Sequence, residues 1–482
     1  MAALELDLSP LMKAVENNVP YRKVGKVKAG RGVLYEVALP KAVIGSSVEF
    51  VTEFGDHCFG EIVSIKDKHC MAIPYQELPG INSETKVILL DQTSFIPCGD
   101  HYLGRVIDFQ GRPIDDQGPI EGPFERRSIY GHPINPLARP AIDQVLTTGV
   151  NAIDCFMTLG QGQRMAIMAG SGVGKSVLLG MIAQHTSADV NVIALVGERG
   201  REVLEFIKQD LGEEGLKRSV VVVATSDNSA IVKLKAAYVA TTMAEYYRDQ
   251  GKNVLFMMDS ITRFAMAGRE IGLGAGEPPG QRGYPPSVFA SLPKLMERVG
   301  TKENSGTITG IYTVLVEGGD MDEPIADAIR AISDGHIILS RELAAKNHFP
   351  AIDVLASLSR VMNKVVSKEQ RIVVGHLRNL MASYKEMEDL INVGAYVRGS
   401  SINVDKALAI YPDLLNLLRQ DQNLGTSLSL DELFDQMVEL AKKAEDATRP
   451  APAEGKAWDL LSLSSALCSE CGNLKSNKLK SN

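Results

Sequence analysis

The run Ala169-Gly170-Ser171-Gly172-Val173-Gly174-Lys175-Ser176 stands between two apolar stretches, and its reading decides the fold. Before it, Arg164-Met165-Ala166-Ile167-Met168 has the length and apolarity of a buried parallel strand. After it, Val177-Leu178-Leu179-Gly180-Met181-Ile182-Ala183 continues as an apolar helix. A strand, a glycine-rich turn and a helix in that order make a phosphate-binding loop. The three glycines let the backbone curl so that successive N–H groups, at the positive end of the helix, point at a nucleotide's β-phosphate. Lys175 is placed to bridge the β- and γ-phosphates, and the Ser176 hydroxyl to bind Mg2+. Nucleotide contacts are expected from Gly170, Ser171, Gly172, Val173, Gly174, Lys175, Ser176 and Val177. Ala169 departs from the full pattern, which has glycine there, and the bland alternative is a plain glycine-rich turn.

Around the loop, apolar strands alternate with helical stretches from 93 to about 370. Val190–Val196, Val220–Ala224, Val254–Met258, Ile308–Val316 and His336–Leu339 are the candidate strands. Such alternation implies a mainly parallel sheet with helices on both faces. Residues 22 to 92 read differently, as short alternating segments such as Gly32–Val37 and Gly60–Ile65 broken by Gly, Asp, Asn and Pro, the pattern of a small β-barrel. From 371 to 445 helical periodicity takes over, through Leu377, Leu380, Met381, Tyr384 and Leu390 and again from Leu430 to Ala444. Residues 446–482 read as a flexible Pro-, Ser- and Lys-containing tail. At the other end, residues 1–21 carry a helix start at Ser9-Pro10, with Leu11, Met12 and Val15 on one face. So short a helix needs a partner, either a docking protein or the neighbouring domain.

Bulk composition agrees with a multidomain globular chain of 482 residues, with 45% hydrophobic and 23% charged residues. The net charge of −8, with acidic and basic residues interspersed, lacks the basic footprint of a dedicated nucleic-acid binder. No apolar run has the length of a membrane span and no N-terminal leader pattern is present, so a cytoplasmic protein is expected. Six scattered cysteines suggest reduced thiols. Cys468-Ser469-Glu470-Cys471 supplies only two of the four ligands of a structural zinc site and reads as a pair of solvated thiols.

A hydrolase needs a second acidic residue for the metal and a group that orients the attacking water. Asn253–Met258 is an apolar strand ending in Asp259, placed to hold Mg2+ through a water. Glu198 follows the strand end Ala194-Leu195-Val196-Gly197, where it either aligns a water against the γ-phosphate or is a solvated carboxylate paired with Arg199 or Arg201. Local sequence leaves that choice open.

Residues 22 to 445 resemble the catalytic subunits of hexameric rotary-type ATPases, most closely the protein-export ATPases of the flagellar apparatus and its injectisome relatives. The resemblance rests on Pro350-Ala351-Ile352-Asp353-Val354-Leu355-Ala356-Ser357-Leu358-Ser359, which matches the ATP synthase α/β signature, and on the loop with alanine at 169. Gly197–Val203, Met258-Asp259-Ser260 with Arg263-Phe264-Ala265, Arg282–Phe289 and Asp334-Gly335-His336-Ile337 add to it. It implies an α/β fold: a RecA-like P-loop core with a mainly parallel sheet, preceded by a small β-barrel and followed by a helical domain. It also implies an ATPase using ATP and Mg2+, with Glu198 as catalytic glutamate, Arg199 approaching the γ-phosphate, Arg360 as an arginine finger entering the neighbouring subunit's site, and Phe349 stacking on adenine.

The partners implied are five further copies in a homohexamer, a stalk protein met by the loop Gly276–Pro286 in the ring channel, an export gate, substrate–chaperone complexes and a regulatory protein on residues 1–21. Attachment at the inner face of the cytoplasmic membrane would be peripheral, through the export apparatus. Gly268 departs from the family, which usually has glutamine there. Competing readings are an injectisome rather than a flagellar ATPase, an ion-translocating synthase subunit, an RNA-threading helicase and an inactive structural subunit. Arg282–Phe289 argues against the synthase subunit, the mixed charge of the Gly55–Asp91 segment against the helicase, and retention of Glu198 and Asp259 against the inactive subunit.

Overall fold

A computed structural model describes Met12 and residues 23–66, 69–91, 94–316, 320–421 and 428–448. The expected helix around Ser9-Pro10, Met12 apart, and the Cys468/Cys471 tail lie outside the described residues.

Six strands close into a barrel: β1 (Val24–Arg31), β2 (Leu34–Ala38), β3 (Ser47–Val51), β4 (His57–Lys66), β5 (His69–Pro74) and β6 (Lys86–Asp91), in the order β1-β2-β5-β4-β3-β6. Alternation puts Val27, Val37, Val48, Phe50, Ile62, Ala72 and Val87 inside. Where the sequence suggested one strand over Gly32–Val37, Gly32 instead turns the chain with φ 60° between β1 and β2.

The central sheet holds β7 (Val106–Ile107), β8 (Arg164–Ala169), β9 (Val190–Val196), β10 (Ser219–Ala224), β11 (Asn253–Asp259), β12 (Thr307–Leu315), β13 (Gly335–Leu339) and β14 (Leu358–Ser359). Their order is β14-β13-β8-β12-β11-β9-β10-β7, with a short ninth strand, Gly300–Thr301, beside β12. Along this path every pairing is parallel except β13 with β14. The strands are buried on both faces and therefore read as continuous apolar runs rather than alternating ones. Helices α1 (Asn151–Phe156), α2 (Lys175–His185), α3 (Ala230–Asp249) and α4 (Ile261–Gly274) are among those flanking it. Gly268 lies within α4, where an added Cβ would come 3.3 Å from Val288 Cγ2. A glutamine there would press on the helix Pro286–Met296, so the glycine goes with close packing of these two helices.

Helices α5 (Lys368–Asn392), α6 (Ile402–Leu418) and α7 (Leu430–Asp446) form the C-terminal region. Capping boxes at Ser367/Gln370 and Ser429/Glu432 start α5 and α7. One carboxylate ties all three helices. Glu445 of α7 takes Lys406 Nζ of α6 at 2.9 and 3.0 Å and lies 3.3 Å from His376 Nε2 of α5, which with Lys406 holds its pKa down at about 2. Cys58, Cys70, Cys98 and Cys155 are buried free thiols, as their scatter suggested.

Barrel and core are joined by a buried ionic cluster. Lys235 of α3 pairs with Glu61 of β4 and approaches Ser94 Oγ at 2.6 Å, Tyr130 O–H donates to Glu61, and the Tyr75 ring centroid lies 5.2 Å from the ammonium. Removing one partner of a buried pair strands the other charge, so Lys235→Met is expected to cost about 3–5 kcal/mol. Denaturant unfolding would measure it, and a loss below about 1 kcal/mol would show that Glu61 is not left stranded.

Candidate active site

The loop sits at the carboxyl edge of the sheet because β8 ends at Ala169 and α2 starts at Lys175. Gly172 and Gly174 have φ of 76° and 83°, conformations that a side chain resists, which is why glycine recurs every second residue. Lys175 is turned inward onto two carboxylates: its Nζ pairs with Asp259 and lies 3.4 Å from Glu198 Oε1. These arrive from strands on the same side of the loop. Asp259 is the last residue of β11, and Glu198 follows β9, the strand paired with β11.

The chain swings Glu198 inward through Gly197, with φ 77°, where a Cβ would come 2.8 Å from Arg263 Cβ. Glu198 is therefore not the solvated loop carboxylate that local sequence also allowed. Burial raises its pKa to about 7, aided by the negative charge of Asp259 and opposed by Lys175. Lys175 is itself buried, which disfavours its charge, but Asp259 and Glu198 outweigh that and raise its pKa. The three groups form one cluster of interacting ionisable side chains at the loop.

Three further residues complete the picture. Thr313 of β12, fully buried, donates its hydroxyl to Asp259 Oδ1 at 2.6 Å. Sequence reasoning missed it, although a threonine inside an otherwise apolar buried strand is the signal that could have found it. Arg263 packs against Gly197, and its buried Nε has no hydrogen-bond partner among the described residues. Arg199 is exposed and paired with Glu202 at 3.0 Å.

Phe349 is 41% exposed, and its ring is 3.5 Å from the position a Cβ would take on Gly174. It is therefore a half-open aromatic face beside the loop rather than a core side chain. Arg360 stands apart from the cluster. It follows β14, which pairs antiparallel with the start of β13, Gly335 opposite Ser359, and its own N–H donates to the Asp334 carbonyl at 2.9 Å. The five-residue β13 runs from there toward the loop edge, which leaves Arg360 about 13 Å or more from that edge at about 3.3 Å per residue. Its side chain is exposed.

Comparison with known proteins agrees with this geometry. Residues 149–359 match the nucleotide-binding domain of the ATP synthase alpha/beta family, and residues 366–439 match the T3SS EscN ATPase C-terminal domain. The Bacillus subtilis flagellum-specific ATP synthase is 50% identical over 85% of this chain and 94% of its own length. The type 3 secretion system ATPase of Xanthomonas euvesicatoria is 51% identical over 80% of this chain and 87% of its own length. The assembled ATPase EscN of enteropathogenic E. coli superposes with a TM-score of 0.80 at 43% identity, covering 86% of this chain and 99% of that one. The chain belongs to the ATP synthase alpha/beta family, in the branch of flagellum-specific ATP synthases and type 3 secretion system ATPases. It is an ATP-hydrolysing export ATPase.

Proposed function

We propose that the chain hydrolyses MgATP at the boundary between neighbouring copies in a homohexameric ring, and that the cycle drives substrates through a flagellar export apparatus. The observation carrying this reading is the separation of parts within one chain: Lys175, Glu198 and Asp259 meet at the loop edge, while Arg360 lies toward the other end of β13. An arginine so placed serves a site other than its own chain's.

In this reading Lys175 exchanges its carboxylate partners for the phosphates, and Phe349 stacks on the base. Glu198 orients and deprotonates the attacking water, with a pKa of about 7 suited to a base near neutral pH. Arg199 makes an exposed pair with Glu202, a contact of about 0–1 kcal/mol that a phosphate displaces readily. Ser176 and Asp259 would hold Mg2+. The donor set fits, since the Ser176 hydroxyl in the first turn of α2 and the Asp259 carboxylate at the end of β11 are hard oxygen donors, and Mg2+ typically takes one or two protein oxygens, substrate phosphates and waters. Bound there, the ion would supply charge neutralisation for the phosphates.

The loop Gly276–Pro286 is pinned by the Arg282–Asp320 pair at 2.6 Å, and we assign it to the channel face. The solved complex of EscN with its central stalk EscO supports a central stalk as a partner. The remaining assignments are a regulatory protein on residues 1–21, a gate and chaperone complexes as partners, and the division at 22–92, 93–370 and 371–445. No helix among the described residues is long and apolar enough to cross a membrane. A cytoplasmic protein held peripherally at the membrane by the apparatus is the reading consistent with that. The Xanthomonas relative favours an injectisome role as the second reading. Loss of motility against loss of effector secretion in a deletion strain separates the two.

ATPase activity per chain is expected to rise with protein concentration as rings form, and to vanish when EDTA removes Mg2+. Activity that is independent of concentration in a monomer, established by light scattering, would sink the shared site.

A further inference from the structure

The end of α6 is stapled to the core by one side chain. Gln420, two residues beyond α6, accepts from the Asn151 N–H through Oε1 at 3.0 Å and donates from Nε2 to the Gly149 carbonyl at 2.7 Å. Its own backbone N–H donates to the Phe349 carbonyl at 3.0 Å. Around it, Asn151 Nδ2 caps the Leu417 carbonyl at 3.1 Å, and Arg419 Nε donates to Nδ1 of the buried His348 at 3.3 Å. The two segments that Gln420 joins flank opposite ends of the phosphate-loop helix. Phe349 lies on Gly174 at the start of α2, and Gly149 packs so closely on His185, its last residue, that a Cβ would come 2.2 Å from the His185 Cβ.

We propose that Gln420 is a positioning residue for nucleotide recognition, holding the Phe349 ring in register with the phosphate loop by tying the helical region to both ends of α2. This rests on the reading of Phe349 as the base-stacking residue. The chemistry demands an amide. Only a side chain with one acceptor and one donor on the same carbon meets an N–H and a C=O two residues apart, and a carboxylate would face the Gly149 carbonyl with no proton to give. Among the described residues the backbone N–H of Gln420 is the tie between the end of α6 and the Phe349 backbone, and the Gln420 amide anchors that end on Gly149 and Asn151, so removing the amide loosens the platform without touching the phosphate contacts.

The test compares a ligand with a base and one without. KM for MgATP and the competitive inhibition constant of magnesium tripolyphosphate are measured on the full chain for wild type, Gln420→Ala, Gln420→Glu and Phe349→Ala, with thermal unfolding as a check on folding. Loss of two hydrogen bonds in Gln420→Ala is expected to raise KM for MgATP about 5- to 20-fold, while the tripolyphosphate constant stays within about 2-fold. Gln420→Glu, which keeps the volume but sets a carboxylate against the Gly149 carbonyl, is expected to raise KM for MgATP at least as far as the alanine variant and serves if the alanine variant fails to fold. A merely structural role weakens both ligands together, and that result, or no change in either, overturns the proposal. If Phe349→Ala leaves the ratio of the two constants unchanged, the stacking reading itself fails. If Phe349→Ala shifts the ratio and the Gln420 variants do not, only the positioning role fails.

Discussion

Arg360→Ala is expected to lower kcat by about 10³–10⁵-fold, the range set by arginine fingers supplied in trans, while the affinity of the free chain for nucleotide stays within about 2-fold. The physical reason is distance. Arg360 follows an edge strand whose partner β13 runs away from it toward the loop, and the main ties of Arg360 are to the Asp334 and Ser333 carbonyls. Nothing in that geometry delivers the guanidinium to Lys175 of the same chain, so its removal spares ground-state binding and takes charge stabilisation from the transition state of the adjacent site. A mixing experiment gives the sharper reading. Chains carrying Arg360→Ala and chains carrying Glu198→Gln are each inactive alone, but in mixed rings some interfaces pair an intact Glu198 with an intact Arg360. Recovered hydrolysis on mixing is the expected outcome, and a mixture as inactive as its components would refute a site shared between copies.

Glu198→Gln is expected to reduce kcat by about 10²–10⁴-fold with ATP still bound, since the amide preserves shape and removes the base. The pH dependence makes the assignment specific. The carboxylate is the acting form, and burial together with Asp259 raises its pKa to about 7 against the pull of Lys175. Below that value the group is protonated and idle, so kcat/KM of the wild type should climb as pH rises through about 7 and level off above it. The residual rate of the glutamine variant should lack that inflection. An inflection retained in Glu198→Gln would assign the base to another group.

Both predictions turn on residues whose legibility in the sequence differed. Lys175 and Asp259 were legible because a glycine-rich turn between strand and helix, and an acid at the end of an apolar strand, are local patterns fixed by backbone geometry. Glu198 was not, since an acid followed by Arg199 and Arg201 reads equally well as a surface ion pair. What separates the readings is Gly197, whose left-handed turn against Arg263 directs the next side chain inward. The 41% exposure of Phe349 beside Gly174 likewise comes from neighbours distant in sequence. Thr313 and Gln420 went unseen for that reason too: their partners lie 54 residues away at Asp259, and 269 and 271 residues away at Asn151 and Gly149.

By itself the sequence determined the kinds of element and their order: a barrel of short strands, an alternating α/β core and closing helices. It also determined the phosphate loop, because hydrophobic periodicity and glycine conformational freedom act within a few residues. The tertiary structure alone decided which acids face Lys175, that a buried threonine donates to one of them, and that Arg360 stands at the end of β13 opposite the loop. Strand order sets those distances. Chain neighbours β8 and β9 are separated in the sheet by β12 and β11, a shuffle that long-range packing imposes and local propensity does not encode.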